Sequence, residues 1–528
     1  MVVAQEPLAA DAGLAVLQKG GNAVDAAVAV GFALAVTHPF AGNLGGGGFM
    51  LVRLADGRTA FFDFRERAPG KATRDMYLGP DGKATRDSLE GWRAPGVPGT
   101  VAGLSLAHSR FGRAKWADLV APAIELASHG FEVSYSLAES LRGSRNLSRF
   151  PESKRIFQKD GAFYQPGDRL FQPDLSKTLT RIASTHGADF YKGETAHILA
   201  DAMAANGGLI TPEDLRNYAA VERAPLTGKY RNYEIVTAPP PSAGGVGILE
   251  MLGILEGTGY EKTGAGSAAA YHYLAEAMRR FNADRSEYLG DPDFVKNPIA
   301  GMLDPAYIAK LRASIDPERA TPSSQMGPGH PAGAESLETT HFNVVDAEGN
   351  AVAVTYTLNG GYGSGVTVPG LGFLLNNEMD DFAAQPGAPN MFGLVQGERN
   401  AIQPNKRPLS SMAPTMVLRD GKLFLALGTP GGSYIPTAIL QVILNVIDFK
   451  MNVQDAVDAP RIHHQWLPDA LKCEPGISPD TVALLKARGY TMDYSPAVVL
   501  ARVEAILAGG AWLEGGSDGR GNGKVAGY

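Results

Sequence analysis

The chain of 528 residues has one cysteine, Cys473. That excludes an intramolecular disulfide framework and any metal site built from several thiolates. It also lacks an apolar stretch long enough for a bilayer: the run from Ala26 to Val36 covers about 11 residues, where a spanning helix needs roughly 20. Basic runs are missing and the formal net charge is −7, so a nucleic-acid partner is not expected. The first residues, Met1 to Pro7, have no basic region followed by a hydrophobic core, so no secretion signal is read in them. The expectation from this alone is a cytoplasmic protein, or one whose leader lies outside this chain. Internal repeats are absent. The glycine-rich tail from Gly515 to Gly523 comes nearest to low complexity.

What is present is core-forming material: 44% hydrophobic and 20% charged residues, the balance of a globular protein. Length alone suggests about three domains. The pattern along the chain argues otherwise. Residues 8–19 read as an amphipathic helix stopped by Lys19-Gly20-Gly21. Asn22 can cap the next helix, Ala23 to Val36, with Asp25 in its first turn. That helix is apolar nearly all round and should be buried; Pro39 stops it. Hairpin signals follow at Met50–Leu54 and Thr59–Phe64, around Asp56-Gly57. Residues 100 to 320 read as mostly helical, with Pro239-Pro240-Pro241 and the glycines after it as a connector. Two more hairpins are predicted, Phe342–Val345 with Ala351–Leu358, and Thr415–Leu418 with Leu423–Leu427. Strands at both ends with helices between fit one layered α+β unit.

Candidate chemistry gathers in the last third. Alternation along 351–359 sends Val352, Val354, Tyr356 and Leu358 to one face and Thr355, Thr357 and Asn359 to the other. Beside that polar face begins Thr339-Thr340-His341-Phe342. A threonine-rich strand face is common, because threonine favours strands. Thr339 becomes a nucleophile only if a base takes its proton, and cleavage between Glu338 and Thr339 would supply one, the freed amine. Other motifs each have a plain reading beside a chemical one. Ser410-Ser411 is a turn, or a pair of donors for a carboxylate. Thr429-Pro-Gly431-Gly432-Ser433, between a strand and a helix-like run at Ile435 to Val446, is a tight turn or a source of N–H groups for an oxyanion. Glu378-Met-Asp-Asp381 is a solvated loop, or holds a metal or an ammonium. Arg65 is a surface ion-pair partner or a carboxylate anchor. Adjacent His463 and His464 point to opposite faces of a strand and do not suggest a metal site. Gly45 to Gly48 is no dinucleotide fingerprint, since Met50 stands where its third glycine belongs. Gly515-Gly-Ser517-Asp-Gly519 lacks the following helix of a serine-hydrolase elbow.

In order, these motifs resemble the γ-glutamyltranspeptidases, members of the N-terminal-nucleophile hydrolases. The resemblance rests on Gly20-Gly-Asn-Ala-Val-Asp, Asn43-Leu-Gly-Gly-Gly-Gly, Asp63-Phe-Arg-Glu, Asp284-Arg-Ser-Glu, the Thr339 segment, Leu374-Leu-Asn-Asn-Glu-Met-Asp-Asp, Lys406-Arg-Pro-Leu-Ser-Ser and Pro430-Gly-Gly-Ser. It weakens beyond about residue 475, and no function is carried over there. It implies a four-layer αββα sandwich, made as a precursor that cuts itself before Thr339 into residues 1–338 and 339–528, the two forming one intertwined heterodimeric unit. It further implies that Thr339 is the nucleophile and its amine the base, with Thr357 tuning it. Arg65, Ser410 and Ser411 would hold a glutamyl α-carboxylate; Asn359, Glu378 and Asp381 would lie near the α-amino group. Gly431 and Gly432 would form the oxyanion hole. The segment Pro386 to Gly393 would be the lid, with Phe392 where a tyrosine is common. No cofactor and no metal are implied. The substrates would be glutathione and related γ-glutamyl compounds, with amino acids or peptides as acceptors, in the periplasm or outside the cell. A glutaryl-cephalosporin acylase and a non-maturing binding homologue are the alternatives.

Overall fold

Alternation along the strands and nearly continuous apolar helices call for stacked layers, and the protein has them. The computed structural model describes residues 1–327, 339–494, 498–510 and 512–528. Two sheets face each other. The first has seven strands, in the order Lys524–Ala526, Val2–Ala4, Thr340–Val345, Ala351–Thr357, Gly47–Arg53, Thr59–Asp63 and Val221–Arg223. The second has six: Glu504–Leu507 lies between Glu514–Ser517 and Lys422–Gly428, followed by Thr415–Arg419, Tyr233–Thr237 and Leu226–Tyr230. All pairings within both sheets are antiparallel.

One core fills the space between the first sheet and its helices. It contains Val352, Val354, Tyr356 and Leu358, the apolar face read from the alternation, packed against the helix Ala23–Thr37. Every residue of that helix is buried, and Asn22 and Asp25 close a reciprocal capping box at its start. The other core takes Ala351 and Ala353 from the opposite face. It continues through Leu425, Leu427 and Ile506 of the second sheet to the helices Gly244–Leu255 and Ile435–Ile447. Helix, sheet, sheet, helix is the expected sandwich, and one unit replaces the three suggested by length.

One sequence expectation needs correction. The stretch 221–237, read as part of a helical middle, forms three strands that finish one edge of each sheet. Val221-Glu-Arg and Leu226-Thr-Gly-Lys-Tyr alternate half-buried with exposed residues, an edge pattern with too little apolar contrast to read as sheet. Residues beyond 475, to which the motifs assigned no role, are structural. They supply strands to both sheets, and the buried Arg461 Nη2 bonds Asp518 Oδ2 at 2.6 Å to fasten the tail.

Candidate functional site

The register of the central hairpin pairs Thr340 with Tyr356, which sets Thr339, one residue earlier, across from Thr357. Thr339 Oγ1 and Thr357 Oγ1 are 3.4 Å apart, a long contact for two hydroxyls. Thr340 points elsewhere, its hydroxyl 3.4 Å from Gln5 Oε1. The end of the Thr357 strand is held from below. Asn43 Nδ2 donates to the Thr357 carbonyl at 2.8 Å, and a methyl on Gly46 would lie 2.0 Å from the same oxygen. The four glycines at 45–48 are thus a close-packing device. Asn359, at φ 75°, donates its backbone N–H to Thr357 Oγ1 at 2.9 Å, a left-handed turn that asparagine tolerates.

Around this pair lies a narrow pocket that is partly open to solvent. It is lined by Thr339, Thr357, Asn359, Arg65, Glu378, Asp381, Ser410, Ser411, Phe392 and Gly432. Ten residues read from separate motifs therefore meet. Gly431 stands next to Gly432 in the same turn; Glu338 lies outside the described residues. Arg65 is placed by Asp63, whose Oδ1 accepts its backbone N–H at 3.0 Å.

The charged groups are arranged differently from two separated poles. Arg65 bonds Glu378 through Nη1 and Asp381 through Nη2, with Glu66 3.6 Å away, all buried. The reading of Glu378 to Asp381 as a solvated loop is overturned: the 3₁₀ turn is buried throughout. Burial pushes the Glu378 carboxyl well above its ordinary value and raises that of Asp381, with Arg65 opposing in both. Burial takes Glu66 to about 7 and Asp380 to about 6. Arg65 itself is held above its ordinary value: burial would lower it, but the carboxylates outweigh burial.

Ser410 is 2% exposed and Ser411 half-buried. Their backbone is set by the 239–245 segment: Ala243 N donates to Ser410 O at 2.7 Å, and a methyl on Gly244 would lie 2.3 Å from Ser411 O. A connector by composition is therefore a bracket for the serine pair. On the other side Gly431 (φ 138°) and Gly432 (φ 52°) enter the turn that runs into the helix Ile435–Ile447. Neither N–H has an acceptor among the described residues. Two free donors at a helix entrance suit developing negative charge. Phe392 packs over Gly432, where a methyl would lie 2.6 Å from its Cδ1.

Two residues given no role by the motifs also belong here. Gln465 Nε2 donates to the Phe392 carbonyl at 3.0 Å and fixes the cover. Arg285 lines the pocket. Leu274, Met278, Phe281 and Arg285 form one buried stripe of the helix Ala268–Tyr288. A cation on an apolar stripe is the signal that could have singled it out. His463 and His464 are buried on the strand Ile462–His464, bonded to Thr437 and Arg279. Among the described residues no group of histidine, cysteine or acidic side chains is arranged to hold a metal. The serine-elbow lookalike is a sheet strand.

A sandwich of two facing sheets between helices, with a threonine heading a central strand, defines the N-terminal-nucleophile hydrolase class. The family model described as gamma-glutamyltranspeptidase matches residues 9–528, so the likeness runs through the tail where motifs alone fade. The chain belongs to the gamma-glutamyltranspeptidase family. It is 51% identical over 524 residues, 98% of this chain and 90% of the other, to the glutathione hydrolase proenzyme of Escherichia coli (strain K12). Among solved structures, a cephalosporin acylase from Bacillus halodurans superposes with a TM-score of 0.86 at 27% identity, covering 99% of this chain and 95% of that one. The gamma-glutamyltranspeptidase of Helicobacter pylori matches with a TM-score of 0.60 at 45% identity, over 61% of this chain and 94% of that one.

Proposed function

We propose that this protein is an autoprocessing γ-glutamyl hydrolase and transferase that acts on glutathione and related compounds. The observation that carries the reading is Thr339 facing Thr357 inside a small pocket that holds cationic, anionic and hydroxyl groups together. In the precursor, Thr339 Oγ attacks the carbonyl of Glu338, the acyl group shifts from nitrogen to oxygen, and water hydrolyses the ester. The products are residues 1–338 and 339–528. Strands from both parts alternate in the sheets, which supports a heterodimer that stays together, and relatives bear the name proenzyme.

The freed amine of Thr339 then serves as base for its own hydroxyl. The serine hydroxyls with Arg65 hold the α-carboxylate of a γ-glutamyl group, and Glu378, Asp381 and Asn359 take its ammonium. The γ-carbonyl lies against Thr339 Oγ. Attack forms a tetrahedral oxyanion that accepts from the N–H groups of Gly431 and Gly432. Its collapse releases the amine, which takes the proton, and leaves a γ-glutamyl ester on Thr339. Water or the amine of an amino acid or peptide resolves that ester. Phe392 shields it; lacking the tyrosine hydroxyl, this cover closes by packing.

An acylase for glutaryl groups is the competing reading. Two carboxylates at the pocket favour an acyl group that carries an ammonium. Residues 339–528 begin on Thr339, so a denaturing gel of wild type should give two bands and the smaller should sequence as Thr-Thr-His-Phe. Thr339→Ala should give one. A wild type that stays whole on prolonged incubation has no base and supports the non-maturing homologue. Activity on a glutaryl anilide but none on γ-glutamyl-p-nitroanilide supports the acylase. A periplasmic or extracellular location belongs to the same proposal. Among the described residues no helix is long and apolar enough to cross a membrane. Fractionation that finds the native protein only in the cytosol overturns the location.

A further inference from the structure

Thr339 stands at two openings. One is the narrow pocket already described. The other is a groove of about 440 Å³, and among the described residues only Thr339 lines both. An amide whose acyl part fills the pocket therefore points its amine part into the groove. The groove's chemistry then decides which amines leave and which enter.

The groove is lined by four charged side chains, Glu6, Glu139, Arg502 and Arg520. Three of them serve the fold or the surface. Glu6 Oε2 accepts from Ala9 N at 3.0 Å and from Thr37 Oγ1 at 2.6 Å. Glu139 pairs with Arg142 on the exposed rim. Arg520 binds Asp518 Oδ1 at 2.9 Å and Glu474 Oε2 at 2.8 Å. Arg502 is placed differently: its Nε donates to a neutral group, the Arg520 carbonyl, at 3.1 Å. Its charge is felt in the groove, where burial and then Arg502 take His38 down to about 4 and keep it neutral.

Arg502 is tied to the site through its backbone. Its N–H donates to Thr429 Oγ1 at 3.0 Å, two residues before Gly431, and its carbonyl accepts from Gln5 Nε2 at 2.9 Å. Ala501, at φ 123°, lies with its Cβ 3.4 Å from where a methyl on Gly431 would stand. An alanine in that conformation is strained and stays there only because its surroundings fix the chain. A change of the Arg502 side chain leaves these backbone ties in place. The same groove takes the start of the helix Tyr135–Gly143, capped by Ser134. The N–H groups of Tyr135 and Ser136 have no acceptor among the described residues, and a helix start favours negative charge.

We propose that this groove is the subsite for the amine half of the substrate, and that Arg502 selects leaving groups and acceptors that carry a carboxylate. The start of the helix Tyr135–Gly143 adds to the positive field. This rests on the γ-glutamyl reading above and deepens it. A departing or accepting dipeptide brings one carboxylate to the far end of the groove, and the planar fork of an arginine is matched to it.

The test varies the amine half alone. Wild type, Arg502→Gln, Arg502→Lys and Ser136→Asp are assayed on glutathione and on its glycine amide, with glutamate release as the common readout. Wild type should prefer glutathione in kcat/KM. In Arg502→Gln that preference should shrink by about 10-fold, the lower range for a hydrogen bond to a charged group. The loss should lie mainly in KM, because the carboxylate is held alike before and during attack. Lysine should retain part of the preference. Ser136→Asp sets a negative charge on the exposed rim and should also shrink it. If glutathione and its amide lose equally in Arg502→Gln, Arg502 is only structural and the proposal falls. A wild type with no preference overturns it too. Should Arg502→Gln fail to mature, Ser136→Asp decides, and an unchanged preference there overturns the proposal. A wild type that cuts glutaryl and not γ-glutamyl amides defeats the functional reading instead, and glutaryl-glycine against glutaryl-glycinamide then judges Arg502 by itself.

Discussion

Thr339 gains its setting from neighbours more than from its own chemistry. Its hydroxyl lies 3.4 Å from that of Thr357, and in the proposed mechanism the base is the amine that a cut before Thr339 would free. Gly432 is the other residue on which the proposed reaction depends. Its φ of 52° and the 2.6 Å approach of a would-be methyl to Phe392 Cδ1 leave no room for a side chain. Gly432→Ala should push the N–H out of line with the oxyanion and lower kcat by about 100-fold, the usual cost of losing one such donor. Steady-state rates on γ-glutamyl-p-nitroanilide check this, and a kcat near wild type removes Gly432 from the oxyanion site. Thr339, Thr357 and the glycine turn were legible in the sequence because strand alternation and turn chemistry are local. Arg285 was not, since its meaning depends on which partners other segments leave it.

At the scale of elements, the buried turn Glu378–Asp381 and the cover Pro386 to Gly393 act together. Asp380 accepts from Ser88 Oγ at 2.8 Å and from Met391 N at 2.9 Å, tying the turn to the cover. Burial raises its pKa from 3.8 to about 6. A raised pKa means the folded state binds the proton more tightly than the unfolded one. The stability from Asp380 is therefore full below about pH 4 and is lost as pH rises through about 6. Two units correspond to about 3 kcal/mol. Urea midpoints should fall between pH 4 and 7 in wild type, and Asp380→Asn should flatten that fall; parallel curves would count against it. Gln465 tests the other end. Gln465→Leu removes the donor to the Phe392 carbonyl, a bond of about 1 kcal/mol, and loosens the cover. Water should then capture the acyl group more often, by roughly 5-fold relative to an added dipeptide acceptor. An unchanged ratio of hydrolysis to transfer shows that the cover does not depend on this bond. Composition placed 378–381 at the surface because three acids in four residues look solvated; the arginine that buries them lies more than 300 residues away in the chain.

At the scale of the whole molecule, residues before and after the proposed cut at Thr339 share both sheets. In the first sheet Val2–Ala4 lies between Lys524–Ala526 and Thr340–Val345. In the second, Thr415–Arg419 pairs with Tyr233–Thr237. Both parts share both sheets, so the matured chains should co-elute at the size of the precursor under native conditions. The hairpins that carry the site could be read from sequence, but this interleaving could not, because pairing between residues hundreds apart leaves no local mark. The same holds for the tail. Past residue 475 its motifs are diffuse, yet Arg461 is 1% exposed and bonded to Asp518 Oδ2, which also accepts from Val503 N at 2.9 Å. Asp518→Ala should strand that guanidinium inside the protein and destabilise it by about 3–5 kcal/mol, seen as a lower urea midpoint. Replacing both partners by apolar residues, Arg461→Met with Asp518→Leu, removes the stranded charge and should recover much of the loss. Arg520 keeps its bond to Glu474 at 2.8 Å in either case, so the tail retains one tether. A double variant as unstable as Asp518→Ala would mean that the tail is held by packing around the pair and not by the charge it neutralises.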